Sequence, residues 1–580
     1  MNTFNVPLLC PRSSPPTGTA PRASFTASSV TGFLPAIRPL HELPAPFQAL
    51  DEVVRVLPTL LQDESGHALA DKVAALPDYA PHIPASATPD NAALCTALMR
   101  DLSILASAYV HEGRAESGKP RTSLPPNIAK PLDAIATTLG EPPIMAYSSY
   151  CLSNVKPVDE PASVGGTVAA EPTHGWTWEK LRLIRAFDGG PEEATFILVH
   201  AEIEALGRLL VQAGKQLASA VASDEPSYIG IQSGLHLLHQ TLRQILVSQL
   251  AMFNASDPAN YEKYVRPWIF GFWPPELPDG VVFEGTANPG PRLLRGETGA
   301  QSTLIPTCDA LLGVRHTADK LREMLEQLEE YRPAEHREWL CSLRATFLGA
   351  GAPKTLDAET QRRHKLRAAI AKAAAAAAVG SPVSSEVDGL QLARLFNDCV
   401  LTVGLFRYTH VVYSDAYTSM WSPNPLATGG TPYRAYLRRH RFETMESQIG
   451  ADEVAAAAPA GATLALDDGD LVRTFTSGRK DRAGNPLQLP DLDEYGKQLR
   501  ALPTAENGIP PMLLDLMAGE IAEFGAGRVD LQRKCFPNAA TISSWHVDHA
   551  HSTEAPKYQL WEERGGNADG SMPAGAMEAE

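Results

Sequence analysis

The chain has no Cys-x-x-Cys pair, so nothing in it reads as a zinc ribbon or a redox dithiol. Its seven cysteines (Cys10, Cys95, Cys151, Cys308, Cys341, Cys399, Cys535) are odd in number and scattered. That argues against a disulfide framework and fits a reducing, intracellular compartment. Positive charge is also short: 50 Lys and Arg face 67 Asp and Glu, a net charge of −17, so nucleic acid and anionic membrane surfaces are poor partners. No run of about eighteen strongly apolar residues stands out, and the Ala-rich stretch from Ala373 to Ala378 is too short and too weakly hydrophobic to span a bilayer. What remains is 580 residues, 44% of them hydrophobic, enough for a sizeable core and more than one domain. A cytoplasmic protein is expected.

Before Glu42 the chain carries Arg12, Arg22 and Arg38, no acid, and many Ser, Thr and Pro. This superficially resembles a transit peptide, but Pro11, Pro15, Pro16 and Pro21 interrupt the amphipathic helix such peptides use. Residues 1–29 are therefore read as a disordered tail. From 30 to 160, helical segments broken by prolines (Phe47 to Gln62, Asn91 to Tyr109, Asn127 to Leu139) predict a small helical domain. Residues 161–175, rich in Pro, Gly, Val and Ala, read as a connecting loop.

A larger helical domain over 176–450 follows. Its predicted helices, Thr195 to Ser219, Ser233 to Asn254, Thr303 to Tyr331 and Asp388 to Met420, each carry an apolar stripe at the 3.6-residue period. Thr355 to Ala378 reads as a solvated helix, because Ala has high helix propensity. No run alternates as a strand, so the fold class is all-α. Residues 451–580 read as a mostly irregular C-terminal extension, with one apolar cluster, Pro510 to Phe524, dense enough to pack. Its His546, His549 and His551 could bind a metal, although nothing orients them on a regular element.

Two helical stripes carry single imidazoles. On one, Phe396, Cys399, Val403, Phe406, His410, Tyr413 and Tyr417 share a face; on the other, Phe196, His200, Ile203, Gly207 and Val211 do. Such helices could sandwich a flat apolar cofactor, or simply pack on each other; periodicity does not separate the two. A third feature is Arg266 inside the aromatic run Tyr264 to Trp273. A guanidinium in such company requires a carboxylate, from the protein or from a ligand.

Several collinear segments closely resemble the indoleamine 2,3-dioxygenase family. They are Leu124-Pro125-Pro126-Asn127-Ile128-Ala129, Pro142-Pro143-Ile144-Met145-Ala146-Tyr147, Phe196-Ile197-Leu198-Val199 and Asp279 through Gly285, then Gly299-Ala300-Gln301-Ser302 through Cys308-Asp309-Ala310-Leu311-Leu312-Gly313. Arg332-Pro333-Ala334-Glu335-His336-Arg337, Arg407-Tyr408-Thr409-His410 and Thr428-Gly429-Gly430-Thr431 complete the series. The resemblance covers about residues 30 to 448 and implies a small N-terminal and a large C-terminal helical domain, the latter holding one heme b. It implies that His410 is the proximal iron ligand, that Arg407 and Asp309 form an ion pair beside the heme, and that Arg266 grips the substrate's carboxylate. It also implies that Tyr147 walls the indole pocket and that Thr428 lies on a mobile loop near the substrate's ammonium group.

The chain departs from vertebrate members at five positions. His200 stands where they have Ser; an imidazole there resembles the related tryptophan 2,3-dioxygenases, where it can accept the indole N–H hydrogen bond. Tyr261 and Glu262 replace two Phe beside the arginine, and Glu262, four residues before Arg266, could pair with it or attract the ammonium instead. Tyr150 and Ile197 also replace pocket residues. The implied reaction is cleavage of the indole C2=C3 bond of L-tryptophan by dioxygen at ferrous heme, giving N-formylkynurenine, with an electron donor keeping the iron ferrous. The competing readings are a relative acting on another indole and a heme-binding sensor with little turnover.

Overall fold

The computed structural model describes residues 25–63, 67–158, 172–256, 258–353, 356–419, 426–462, 464–480, 485–489 and 511–525. Among the described residues helix makes up 58% and strand 5%, an all-α fold as the periodicity predicts. The strands are two or three residues long: Ser123–Leu124 pairs in parallel with Val281–Phe283, which pairs antiparallel with Pro291–Arg292. Val155–Pro157 pairs antiparallel with Leu181–Leu183. These ties clip loops to the helices rather than forming a layer.

The smaller module is built on α1 (Ala92–Ser117) and α2 (Pro126–Leu139). Helix α1 is long and apolar enough to cross a membrane by length and composition alone, yet 89% of its apolar stretch is buried inside the protein. Its apolarity serves packing. The larger module is built on α3 (Pro191–Ala220), α4 (Tyr228–Gln249), α5 (Leu304–Leu312), α6 (Lys365–Ala378), α7 (Gly389–Ser414) and α8 (Tyr433–Met445). One continuous apolar cluster runs through both modules, from Phe25 to Met517.

Local chemistry sets the helix ends. Pro191 opens α3 in the first-turn position that tolerates a missing N–H, with Glu192 and Glu193 beside the positive end of the helix dipole. Asp388 caps α7, its Oδ1 accepting from the backbone N–H of Leu390 (2.9 Å) and Gln391 (3.3 Å). The predicted single helix from Thr303 to Tyr331 is broken at Gly313, whose φ of +62° suits glycine; a second helix, Lys320–Leu328, restarts under the Asp319 cap.

The Lys- and Ala-rich segment is also corrected. Helix α6 is not solvated: Leu366, Ile370, Ala373, Ala374 and Ala375 are buried. Alanine lets α7 approach so closely that a Cβ on Gly389 would stand 2.0 Å from the Ala373 carbonyl oxygen. Arg367 on α6 is buried with it and pairs with Glu453 at 2.6 Å.

Residues 511–525 pack where the sequence shows its late apolar cluster. Leu513, Leu516 and Met517 are fully buried, and Glu520 pairs with Arg479 at 2.9 Å. The Tyr408 hydroxyl on α7 meets the Met512 sulfur at 3.3 Å. The tail 1–24, most of the expected connecting loop and His546 to His551 lie outside the described residues.

Candidate functional site

Between α3 and α7 lies a cavity of about 330 Å³, within the usual range for small-molecule sites of roughly 300–1,000 Å³. Tyr147, His200, Tyr261, Arg266, Asp309, Arg407, His410 and Thr428, drawn from distant parts of the sequence, all line it. Three five-residue π-helical turns flank the space: Ser148–Leu152 after Tyr147, Tyr261–Val265, and Asp415–Ser419 with Tyr417. Such turns widen a helix locally and re-aim side chains, which suits the rim of a binding site.

His410 projects from α7 next to Phe406 (ring centroids 6.5 Å apart). Among the described residues its ring nitrogens make no hydrogen bond. Burial first, then the proximity of His200 and Arg407, pulls its pKa down to about 4, so the ring is neutral near pH 7. A neutral imidazole with a free nitrogen, held on a rigid helix over a largely apolar space, is the donor that iron in a flat macrocycle takes. The residues present therefore fit the heme implied by the resemblance.

One turn before His410, Arg407 donates from Nη2 to Asp309 Oδ2 on α5 (2.7 Å) and from Nη1 to Thr444 Oγ1. The network continues: His316 faces Asp309 Oδ2 through Nε2 (3.0 Å) and Glu443 Oε2 through Nδ1 (2.8 Å), and Glu443 Oε1 accepts from the Thr317 N–H (2.9 Å). Burial opposes charge on Asp309, but Arg407 and His316 outweigh it and hold the carboxyl well below its usual range. In the same way burial works against Glu443, yet hydrogen bonds from His316 and Thr317 bring it down to about 2.

His316, His440 and Glu443 offer three ligand-type atoms within 4.8 Å of one another. The two imidazoles, however, are stacked at 4.1 Å with an 18° interplanar angle. Imidazole ligates in its ring plane at about 2.0 Å, and two nearly parallel planes that far apart cannot converge on one ion. Both nitrogens of His316 are also engaged with carboxylates. The trio reads as the floor of the ion-pair network.

Across the cavity, His200 on α3 donates from Nδ1 to the Phe196 carbonyl oxygen (2.6 Å), since a carbonyl can only accept. That bond fixes the tautomer and leaves Nε2 as an acceptor. Burial lowers the pKa of His200 and keeps it neutral. Phe196 (4.5 Å) and Tyr147 (5.7 Å, edge-on) hold the ring in place. Gly207, on the same stripe, admits the Phe33 ring, which a Cβ would meet at 2.5 Å.

Arg266 is 3% exposed, lies over the Phe270 ring and is held twice: Nη1 donates to Glu262 Oε1 (2.7 Å) and Nη2 to the Leu426 carbonyl oxygen (3.0 Å). Glu262 therefore does pair with Arg266, but it does not line the cavity, and neither do Tyr150 and Ile197. Tyr150 instead donates to Glu193 Oε1 at 2.9 Å. Thr428 donates from Oγ1 to the Glu297 carbonyl oxygen, and Arg295 Nη1 donates to the Gly429 carbonyl oxygen (2.9 Å), so this Gly-rich loop is drawn down over the cavity.

Sequence reasoning missed several polar residues of the wall, Glu204 and His316 among them. Glu204 lies four residues beyond His200 on the same helix face, and that spacing was the signal. Its Oε1 accepts from the Tyr147 hydroxyl (2.9 Å) and from Ser302 Oγ (2.5 Å). His316 and Glu443 had no comparable signal, because only the fold brings them to Asp309.

The indoleamine 2,3-dioxygenase family model matches residues 22–423. An indoleamine 2,3-dioxygenase of Saccharomyces cerevisiae is 31% identical over 330 residues, covering 54% of this chain and 68% of that protein. Indoleamine 2,3-dioxygenase 1 of Rattus norvegicus is 27% identical over 312 residues, 53% of this chain and 70% of the rat protein. A protein named myoglobin from Haliotis diversicolor is 23% identical over 440 residues, 73% of this chain and 98% of its own length.

Proposed function

This chain belongs to the indoleamine 2,3-dioxygenase family and is a heme-dependent oxidoreductase of the dioxygenase class, and we propose that it opens the indole C2=C3 bond of L-tryptophan with dioxygen to give N-formylkynurenine. The observation that carries this reading is the convergence of His410, His200 and Arg266 on one cavity.

In this reading His410 would hold the heme iron through its free ring nitrogen, and Arg407, fixed by Asp309 and Thr444, would balance the heme's carboxylates. Bound heme supplies the ferrous iron at which dioxygen is activated, with a cellular electron donor keeping it reduced. The protein's own groups orient the substrate. Arg266, braced from behind by Glu262 and Leu426, offers its remaining N–H donors to the substrate's carboxylate; Glu262 then steers the guanidinium instead of competing with the ligand. His200 Nε2 accepts the indole N–H. Tyr147 and Tyr261 wall the ring and exclude water, and Thr428 closes the loop side near the ammonium group. The cytoplasm is the proposed location.

The test is direct. Purified protein is loaded with heme, reduced, and given L-tryptophan and isotopically heavy dioxygen. N-formylkynurenine carrying two heavy atoms supports the reading; a normal heme spectrum without ring-opened product overturns it. The match to a protein named myoglobin along 98% of that protein favours a second reading, in which the same cavity holds heme and turns over little. A third, action on another indole, rests on the Glu262–Arg266 pair. Under it, an indole lacking the carboxylate would react as well as L-tryptophan.

A further inference from the structure

Glu204 is the one carboxyl on the helix wall that carries His200 and faces the cavity. It is 1% exposed, and its two oxygens are unequally served: Oε1 accepts two hydrogen bonds, whereas Oε2 is buried with no partner. An ionised carboxylate with one bare, water-excluded oxygen is costly; a proton on that oxygen removes the charge and leaves an O–H that lacks an acceptor within the protein. The neighbours agree. Tyr147 and Cys151 face Glu204 from the small module, Ser302 from the loop before α5, Cys308 from α5, Arg332 from beyond it, and His200 lies one turn back. Arg332 is the sole permanent cation in this set, and it already pairs with Glu329 at 3.8 Å. Burial pushes the Glu204 pKa up to about 7 against the opposing hydrogen bonds of Ser302 and Tyr147 and the charge of Arg332.

We propose that Glu204 stands in the resting protein as a carboxylic acid and is the hydrogen-bond donor of the wall that carries His200, offering Oε2–H to a carbonyl oxygen of the ring-opened product. His200 Nε2 accepts and Glu204 donates, so one helix face presents both halves of the recognition that an indole N–H and a new carbonyl need. The assignment rests on reading this cavity as the site of reaction.

The test is infrared difference spectroscopy of the heme-loaded protein on both sides of neutrality, comparing wild type with Glu204→Gln. The expected result is a carboxylic-acid carbonyl band that fades as pH rises through about 7, is missing in Glu204→Gln, and shifts when N-formylkynurenine is added. Glu297, which burial raises to about 8, gives a separate band that Glu204→Gln leaves in place. If no band is lost in Glu204→Gln, or if the lost band does not respond to N-formylkynurenine, the proposal is overturned. Should Glu204→Gln fail to accumulate, Ser302→Ala removes a donor that favours the carboxylate; the band's midpoint should then rise, and an unmoved midpoint counts against the assignment. No turnover is needed for the reading, so this failure is distinct from a failure to form product.

Discussion

The two walls of the cavity are built on opposite principles. On the side of α7, Arg407, Asp309, His316 and Glu443 are tied to one another in a chain of charge-assisted bonds of 2.7 to 3.0 Å, with Asp309 Oδ1 alone left without a partner. His410 stands apart from that chain with its ring nitrogens unused. On the side of α3 the polar groups keep open valences: His200 has an acceptor nitrogen to spare, and Glu204 has a partnerless oxygen. Saturated polar networks fix geometry, whereas unsatisfied buried groups cost stability and are kept where a ligand completes them. One wall holds and the other responds.

The comparison breaks most visibly at His410. His410→Ala should lose most of its heme, while His200→Ala, on the responsive wall, should keep it; heme-to-protein ratios after gel filtration check both. Next comes the ion-pair network. Asp309→Asn strands Arg407 and His316 in a buried setting, and removing one partner of such a pair costs about 3–5 kcal/mol; chemical denaturation of the heme-free protein measures it. The same network makes stability depend on acid. Because the folded pKa of Glu443 is depressed to about 2 from 4.5, its contribution is complete above about 4.5 and is lost as pH falls toward about 2. Asp309, depressed by Arg407 and His316, acts in the same direction.

On the responsive wall and its rim the effects are on ligands. Arg266→Ala should raise the KM for L-tryptophan about 10–100-fold, the loss of one or two charge-assisted hydrogen bonds at 1.4 kcal/mol per tenfold. Glu262→Gln should raise it less, because it loosens the arginine without removing it. Equal losses in both variants would put Glu262 in the pocket itself. The smallest effect is expected for His200→Ala: a single neutral hydrogen bond of about 1 kcal/mol is a few-fold change in kcat/KM.

Much of this was legible in the sequence, and the limits are physical. The α3 and α7 stripes showed their imidazoles, because a helix puts every third or fourth residue on one face. Asp388 and the apolar cluster near Leu513 announced a helix start and a docked segment. The burial of α6 was not legible: propensity says Ala makes helix, not which neighbour presses on it. The break at Gly313 was hidden because apolar spacing continues across it. Glu443 and His316 are 127 residues apart, and nothing local marks them as partners. Glu204 was visible by spacing alone, but an acid on an apolar stripe reads as surface until its partners are known.

The central claim is that the α7 wall supplies the iron's ligand and the α3 wall does not. Resonance Raman spectroscopy of the reduced, heme-loaded protein reads the bond between iron and an axial imidazole directly. The account predicts that this band is present in wild type and in His200→Ala, is absent in His410→Gly, and returns when imidazole is added to that variant. A band that persists unchanged in His410→Gly without added imidazole would place the ligand elsewhere and contradict the account.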